Sequence, residues 1–409
     1  MIKYRLQNGL RVVQEAVPHL RSVSIGIWVK SGSRYENPSN NGISHFIEHM
    51  LFKGTTKYTA KDIAHNFDRI GGDINAFTAK EYTCFYAKVL DDHLPIAVEV
   101  LADMFLHSTL AEEELEKEKN VIFEEIAMYK DTPDDFVHDL ASEAAFGNHP
   151  LAYSILGNEE ALNQMRPETL KGYMNQFYHI DHVVISIAGN VTEQVKALLE
   201  QYFGQFNVRG AEVQTEAPAF LGLQKFHEKN TEQNHICISF PGVSMKDERL
   251  YAAVLLNNMI GGGMSSKLFQ EIRENRGLAY SVYSYHTAYE DCGLFTIYTG
   301  TAPNQTDEVL DLTMDIVDQV RNNGMTASEL KDGKEQLKGS LLLHLEGTGS
   351  RMHRIGKNEL MLKKHVSVEE MIKKIDAITL EDIDYACRQL FQGKYAIAMV
   401  GKTDRALRR

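Results

Sequence analysis

Two histidines and a glutamate stand close together in the stretch GISHFIEHMLFKGT, residues 42–55, as His45, Glu48 and His49. Positions four apart on a helix share one face, so a helix here turns both imidazoles toward a single point, with Glu48 beside that stripe. Neutral imidazole is a good zinc ligand, and a catalytic zinc site needs three protein ligands and one position left open for water. The order H-x-x-E-H is the reverse of the commoner H-E-x-x-H zinc-peptidase pattern, and in both the glutamate is placed to take a proton from water. Residues 45–49 thus offer two ligands, His45 and His49, and a base, Glu48. A third ligand must come from elsewhere.

The run AEEELEKEKNVIFEEIAMYK, residues 111–130, offers it. Glu118 and Glu125, seven apart, fall two turns apart on one helix face with Ile122 between them. Spacing alone does not choose Glu125 over Glu124. Glu112, Glu113, Glu114 and Glu116 read as a solvated acidic face, the usual fate of a charge run. Core histidines bonded to backbone are the plain alternative for His45 and His49; the paired spacing and the intervening acid favour a metal.

A chain of 409 residues is long for a single core, so two domains are expected. With 43% hydrophobic and 24% charged residues it has the composition of a soluble globular protein. A net charge of -13 speaks against a general nucleic-acid binder, which needs clustered Lys and Arg. Cys84, Cys237, Cys292 and Cys387 form no C-x-x-C pair and read as buried thiols in a reducing compartment. The start, MIKYRLQNGLRVVQEAV, lacks the apolar stretch of a secretory signal, and no run is long enough to span a bilayer. A cytoplasmic location follows as an expectation, with neither membrane nor nucleic acid as a partner.

The elements that position the candidate ligands occur twice. GGDINAFTAKEYTCFYAKVLDDHLPIAVEVLADMF reads as turn, strand, hairpin, strand and helix, and GLAYSVYSYHTAYEDCGLFTIYTGTAPNQTDEVLDLTMDIV does the same about two hundred residues later. Both halves also close with a helix, a short turn and a buried strand ending on Gly189 or Gly401. Between them VRGAEVQTEAPAFLGLQKFHEKN loses periodicity and holds Pro218. The expected fold is α+β: two homologous domains, residues 1–212 and 213–409, each a largely antiparallel sheet with helices packed on one face. The second copy of the histidine helix, ERLYAAVLLNNMIGGGM, holds no histidine, so the shared fold does not require one. Its glycine run lacks the Gly-Lys-Ser or Gly-Lys-Thr ending and the preceding strand of a phosphate loop.

HFIEHMLFKGT followed about seventy-five residues later by NVIFEEIAMYKD resembles the pitrilysin and insulinase family of inverted-motif zinc peptidases, most of all its processing-peptidase branch. The resemblance covers nearly the whole chain and implies an N-terminal catalytic and a C-terminal noncatalytic domain. It implies that the third ligand of one Zn2+ per subunit is Glu125 and that Glu118 is a supporting glutamate. It further implies that Asn75, Ala76 and Phe77 begin an edge strand to which a peptide substrate adds, and that Arg273 and Tyr280 contact the substrate near the scissile carbonyl. Asp135 and Asp139 match acids that receive an arginine in processing peptidases. Because this chain holds both sets of residues in a single unit of half the family's full length, the implied assembly is a homodimer in which one subunit's C-terminal domain completes the other's site. The expected activity is zinc-dependent endopeptidase action on peptides, basic ones among them. Two rivals are a noncatalytic scaffold of the same fold, which predicts degraded ligands, and a small-amide hydrolase, which predicts a tight pocket.

Overall fold

The computed structural model of the chain describes residues 1–211 and 213–402. The expected domain boundary touches residue 212, and the expected second domain ends with 403–409; these positions lie outside the described residues.

The first half contributes strands β1 (Ile2–Arg5), β2 (Arg11–Ala16), β3 (Ser22–Val29), β4 (Asp73–Thr78), β5 (Thr83–Leu90) and β6 (Val183–Gly189). Its helices are α1 (Ile43–Leu51), α2 (Ala60–Asp68), α3 (Leu94–His107), α4 (Glu112–Asp131), α5 (Pro133–Phe146), α6 (Glu159–Gln164), α7 (Pro167–Phe177) and α8 (Gln194–Phe203). The second half contributes β7 (Gln224–Glu228), β8 (Asn234–Gly242), β9 (Ala279–Ala288), β10 (Gly293–Thr301) and β11 (Ala396–Gly401). Its helices are α9 (Leu250–Gly261), α10 (Thr306–Asn323), α11 (Ala327–His344), α12 (Thr348–Leu362), α13 (Val368–Ala377) and α14 (Leu380–Phe391).

The repeat is visible in the sheets. One has the order β1-β2-β6-β3-β5-β4 and the other β7-β11-β8-β10-β9, so the second reproduces the first without β1. Only β2 with β6 and β7 with β11 pair in parallel; the remaining neighbours are antiparallel. The expected α+β class and predominantly antiparallel pairing therefore hold. Cys84, Cys237 and Cys387 are buried free thiols and Cys292 is half-buried. Among the described residues no helix is long and apolar enough to cross a membrane. The glycine run at 261–263 begins at the last residue of helix α9 and has no strand directly before it, which removes the phosphate-loop reading.

The chain forms two compact units, and each borrows a helix from the other half of the sequence. Among the described residues, the first holds 1–126, 154–215 and 343–365; the second holds 127–153, 216–342 and 366–402. In the first unit, Val23, Ile25, Ile27 and Val29 of β3 face a core shared with α1 and α3, as strand alternation requires. The intervening residues face α12. Ser24 Oγ lies 2.9 Å from Thr348 Oγ1, and a Cβ added at Gly356 of α12 would sit 2.1 Å from Trp28 Nε1. Ion pairs from Arg351 and Arg354 to Glu15 and from Arg11 to Glu359 tie α12 to β2. In the second unit α5 takes the equivalent place, with Val137, Leu140 and Ala141 packed on Cys237, Ala398 and Val400. Besides the expected helical layer on one face, then, each sheet carries one more helix on the other. This is why the central strands β3, β6 and β11 are buried on both sides.

Candidate metal centre

Helix α1 has apolar residues at Ile43, Phe46, Ile47, Met50 and Leu51, the three-and-four spacing of an amphipathic helix, and all five are buried. Burial of each such side chain is worth roughly 1.5–3 kcal/mol, so this stripe fixes which way the helix faces. His45, Glu48 and His49 fall on the opposite side and are only partly buried. The N-terminus is held by a buried carboxylate. Glu36 Oε2 accepts from the backbone N–H of Gly42 at 2.7 Å and from Asn41 Nδ2 at 2.9 Å, and Oε1 accepts from the Ser44 N–H at 2.9 Å. Gly42 has φ of 97°, and a Cβ there would approach the Cα of Gly157 to 2.8 Å, so only glycine fits this entry.

Helix α4 buries Leu115, Glu118, Lys119, Ile122 and Ile126. That stripe turns Glu118 inward, leaves Glu125 at its margin and puts Glu124 in solvent. The structure thus separates the two adjacent glutamates that spacing could not. Glu112, Glu113 and Glu116 are exposed and Glu114 is partly so.

Three donor atoms converge between α1 and α4. His45 Nε2 and His49 Nε2 are 3.1 Å apart, and Glu125 Oε2 lies 3.8 Å from the first and 3.6 Å from the second. Ligands bound about 2 Å from a tetrahedral zinc stand about 3.3 Å from one another, and the observed separations bracket that value. Among the described residues this is the one group of three or more His, Cys, Asp or Glu side chains able to hold a metal ion. Around it, Glu118 Oε1 accepts from His49 Nδ1 at 2.9 Å, and Lys53 Nζ lies 2.6 Å from Glu118 Oε2. Thr78 Oγ1 donates to Glu48 Oε2 at 2.5 Å.

The electrostatics suit a cation. Burial, and then the neighbouring His49 ring, push the His45 pKa down to about 3, which keeps the ring neutral and its lone pair available. Burial opposes charge on His49 as well, yet the Glu118 hydrogen bond and the charges of Glu125, Glu118 and Glu48 outweigh it and raise its pKa. The acids that would attract a metal favour a proton there for the same reason. Burial raises the Glu48 pKa against the lowering effect of the Thr78 hydrogen bond. Glu118 is also buried, but its bonds to His49 and Lys53 prevail and hold its carboxyl below the ordinary range.

The sequence model of Insulinase (Peptidase family M16) matches residues 11–159, and that of the Peptidase M16 inactive domain matches residues 164–337. "Uncharacterized zinc protease YmxG" of Bacillus subtilis is 51% identical over 401 residues, covering 98% of each chain. The chain belongs to peptidase family M16. A solved M16 inactive-domain structure from Pseudomonas fluorescens superposes with a TM-score of 0.91 at 22% identity, covering 98% of each chain. A protease from Helicobacter pylori gives 0.92 at 20% identity, covering 98% of this chain and 99% of that one. At these identities the likeness is one of fold.

Within this M16 chain, β4 is the edge strand of the first sheet. Ala76 directs its N–H away from β5, where the Asn75 side chain accepts it at 2.8 Å. Thr78 shares Ala76's face and reaches Glu48, while the Phe77 ring points to the other face and packs on Trp28 and His353 at 5.9 and 5.5 Å. Four further expected residues belong to the second unit. There the Arg273 guanidinium is sandwiched between the Phe269 and Tyr280 rings, 4.7 Å from each centroid, and Tyr280 is 74% exposed. Asp135 is exposed and Asp139 half-buried on α5. Thr78, Lys53, Glu36 and Phe269 were not singled out by sequence reasoning. Only Thr78 carried a usable signal, since it lies in the expected edge strand two residues after Ala76.

Proposed function

We propose that this chain is a zinc-dependent endopeptidase that hydrolyses peptides and unfolded protein segments, with one zinc per subunit held by His45, His49 and Glu125. The observation that carries the proposal is the convergence of two imidazole Nε2 atoms from α1 and one carboxylate oxygen from α4 within 4.8 Å of one another, with a spare carboxylate, Glu48, on the histidines' own helix. The name of the Bacillus subtilis relative, a zinc protease, supports the choice of metal and reaction class. Bound zinc supplies Lewis acidity, bringing the pKa of water down to about 7.

The chain's own residues do the rest. Glu48 takes the proton from the attacking water, and its raised pKa makes it a better base than an exposed carboxylate. The Thr78 hydroxyl fixes one Glu48 oxygen and so aims the other. As the C–N bond breaks, Glu48 returns the proton to the leaving amine. Peptide added along the free edge of β4 would gain backbone hydrogen bonds, with Asn75, Ala76 and Phe77 as the first residues it meets. Arg273 and Tyr280 of a second copy would stabilise the developing oxyanion, making a homodimer the active form. Asp135 and Asp139 would favour basic residues near the cleaved bond, a processing-type preference consistent with the net charge of -13. The site of action in this reading is the cytoplasm, with neither nucleic acid nor membrane as partner.

Incubation of the protein with a mixed peptide library, with and without chelator, tests the reading by mass spectrometry. Zinc-dependent internal cleavage is expected, with sites enriched beside Arg. A protein that binds zinc and cuts nothing would instead be a scaffold of the same fold, and indifference to basic residues would remove Asp135 and Asp139 from the site.

A further inference from the structure

We propose that Lys53 is a positioning residue of the metal centre, which acts by locking the Glu118 carboxylate in the orientation that orients His49. The inference rests on the metal site proposed above. Lys53 follows α1 by two residues, and its backbone N–H is bonded to the Met50 carbonyl at 3.1 Å, so its starting point is fixed by the same helix that carries the ligands. Its Nζ is 2.6 Å from Glu118 Oε2, and the other oxygen of that carboxylate receives the His49 Nδ1 proton at 2.9 Å. With Nδ1 carrying the proton, a neutral His49 ring keeps its lone pair on Nε2, the atom that faces His45 and Glu125.

The two histidines are not supported equally. His45 Nδ1 is buried without a hydrogen-bond partner among the described residues, so no second group holds that ring. His49 is anchored through Glu118, and among the described residues only Lys53 restrains the second oxygen of that carboxylate. An exposed ion pair would be worth little. Here the Glu118 side chain is 6% exposed and that of Lys53 29%, so loss of the ammonium leaves a buried carboxylate oxygen without its partner.

Zinc dissociation constants of the full-length protein, measured by competition with a chromophoric chelator, test this without reference to activity. Lys53→Met is expected to weaken zinc binding about tenfold, the lower end of the range for lost supporting groups, and Lys53→Arg to stay within about threefold of the parent. In a Glu118→Gln background the Lys53→Met change should add less than about twofold, since the side chain it acts through is gone. Unchanged affinity in Lys53→Met would overturn the proposal, as would a full tenfold loss that persists in the Glu118→Gln background. His49→Ala serves as the control. Retention of tight zinc by that variant would sink the metal site itself, and the Lys53 role with it.

Discussion

Helices α1 and α9 occupy the same place in the repeated topology, each following the strand at the centre of the five-strand order that the two sheets share, β3 or β8. Both bury an apolar stripe: Ile43, Phe46, Ile47, Met50 and Leu51 in one, Ala252, Ala253, Leu255, Leu256, Met259 and Ile260 in the other. They part on what lies beside it. The first carries His45, Glu48 and His49, and the second has no histidine. Their companions differ in the same way, because α4 brings Glu118 and Glu125 while α11 buries only Leu330 and Gly333. One architecture is therefore stable with and without the ligand set. The proposed ligands are a chemical addition to α1 and α4 rather than a requirement of the packing.

The strongest way to break that comparison is to erase the difference. His49→Ala or Glu125→Ala should reduce bound zinc from the proposed one per chain toward none and abolish peptide hydrolysis, with little change in the thermal unfolding curve. Metal analysis and circular dichroism check this, and collapse of the fold would make the histidine helix structural after all. Glu48→Gln should cut kcat by about 10³-fold, within the usual worth of a general base, while zinc stays bound. Loss of zinc in that variant would make Glu48 a ligand.

The next test asks whether the second half contributes chemistry of its own. An inactive Glu48→Gln protein mixed and re-associated with an inactive Arg273→Ala/Tyr280→Phe protein should recover up to about a quarter of parental activity. Half of the randomly paired dimers are mixed, and each of those holds one intact site of two. No recovery would confine the active site to one subunit. Gly356→Val, at the point where α12 touches Trp28, should lower stability by about 1–3 kcal/mol through overpacking, read by denaturant unfolding. The smallest expected effect is that of Asn75→Ala. Freeing the Ala76 N–H for an incoming peptide should lower KM by about threefold with kcat unchanged, the worth of one modest hydrogen bond. A rise in KM would mean that the Asn75 side chain itself binds substrate.

Much of this difference could be read from residue order alone. The i,i+4 spacing of His45 and His49 and the seven-residue spacing of Glu118 and Glu125 each specify a helix face, because 3.6 residues make a turn whatever surrounds it. Nothing in that periodicity says which margin of α4 meets α1, and so it left Glu124 and Glu125 level. The choice came from the packing of Leu115, Ile122 and Ile126, which rolls Glu124 into solvent. Thr78, Lys53 and Glu36 escaped notice for a related reason. Their roles depend on contacts made across 30, 65 and 6 residues respectively, the last of them to the Gly42 backbone, and single Thr, Lys and Glu residues are too common for their types to mark them.

The assignment of helices to sheets shows the same limit at larger scale. Residue order placed α5 in the first half and α12 in the second, whereas each packs on the sheet built from the other half. The hydrophobic pattern implied helices on one face of each sheet and gave no sign of the second cover that α5 and α12 supply. By itself the sequence determined the elements, their duplication and the chemical types available for a metal, since these depend on local periodicity and on side-chain identity. Tertiary structure decided which of those groups come within ligand distance and which helix covers which strand, because such contacts join distant segments through shape and burial that local spacing does not encode.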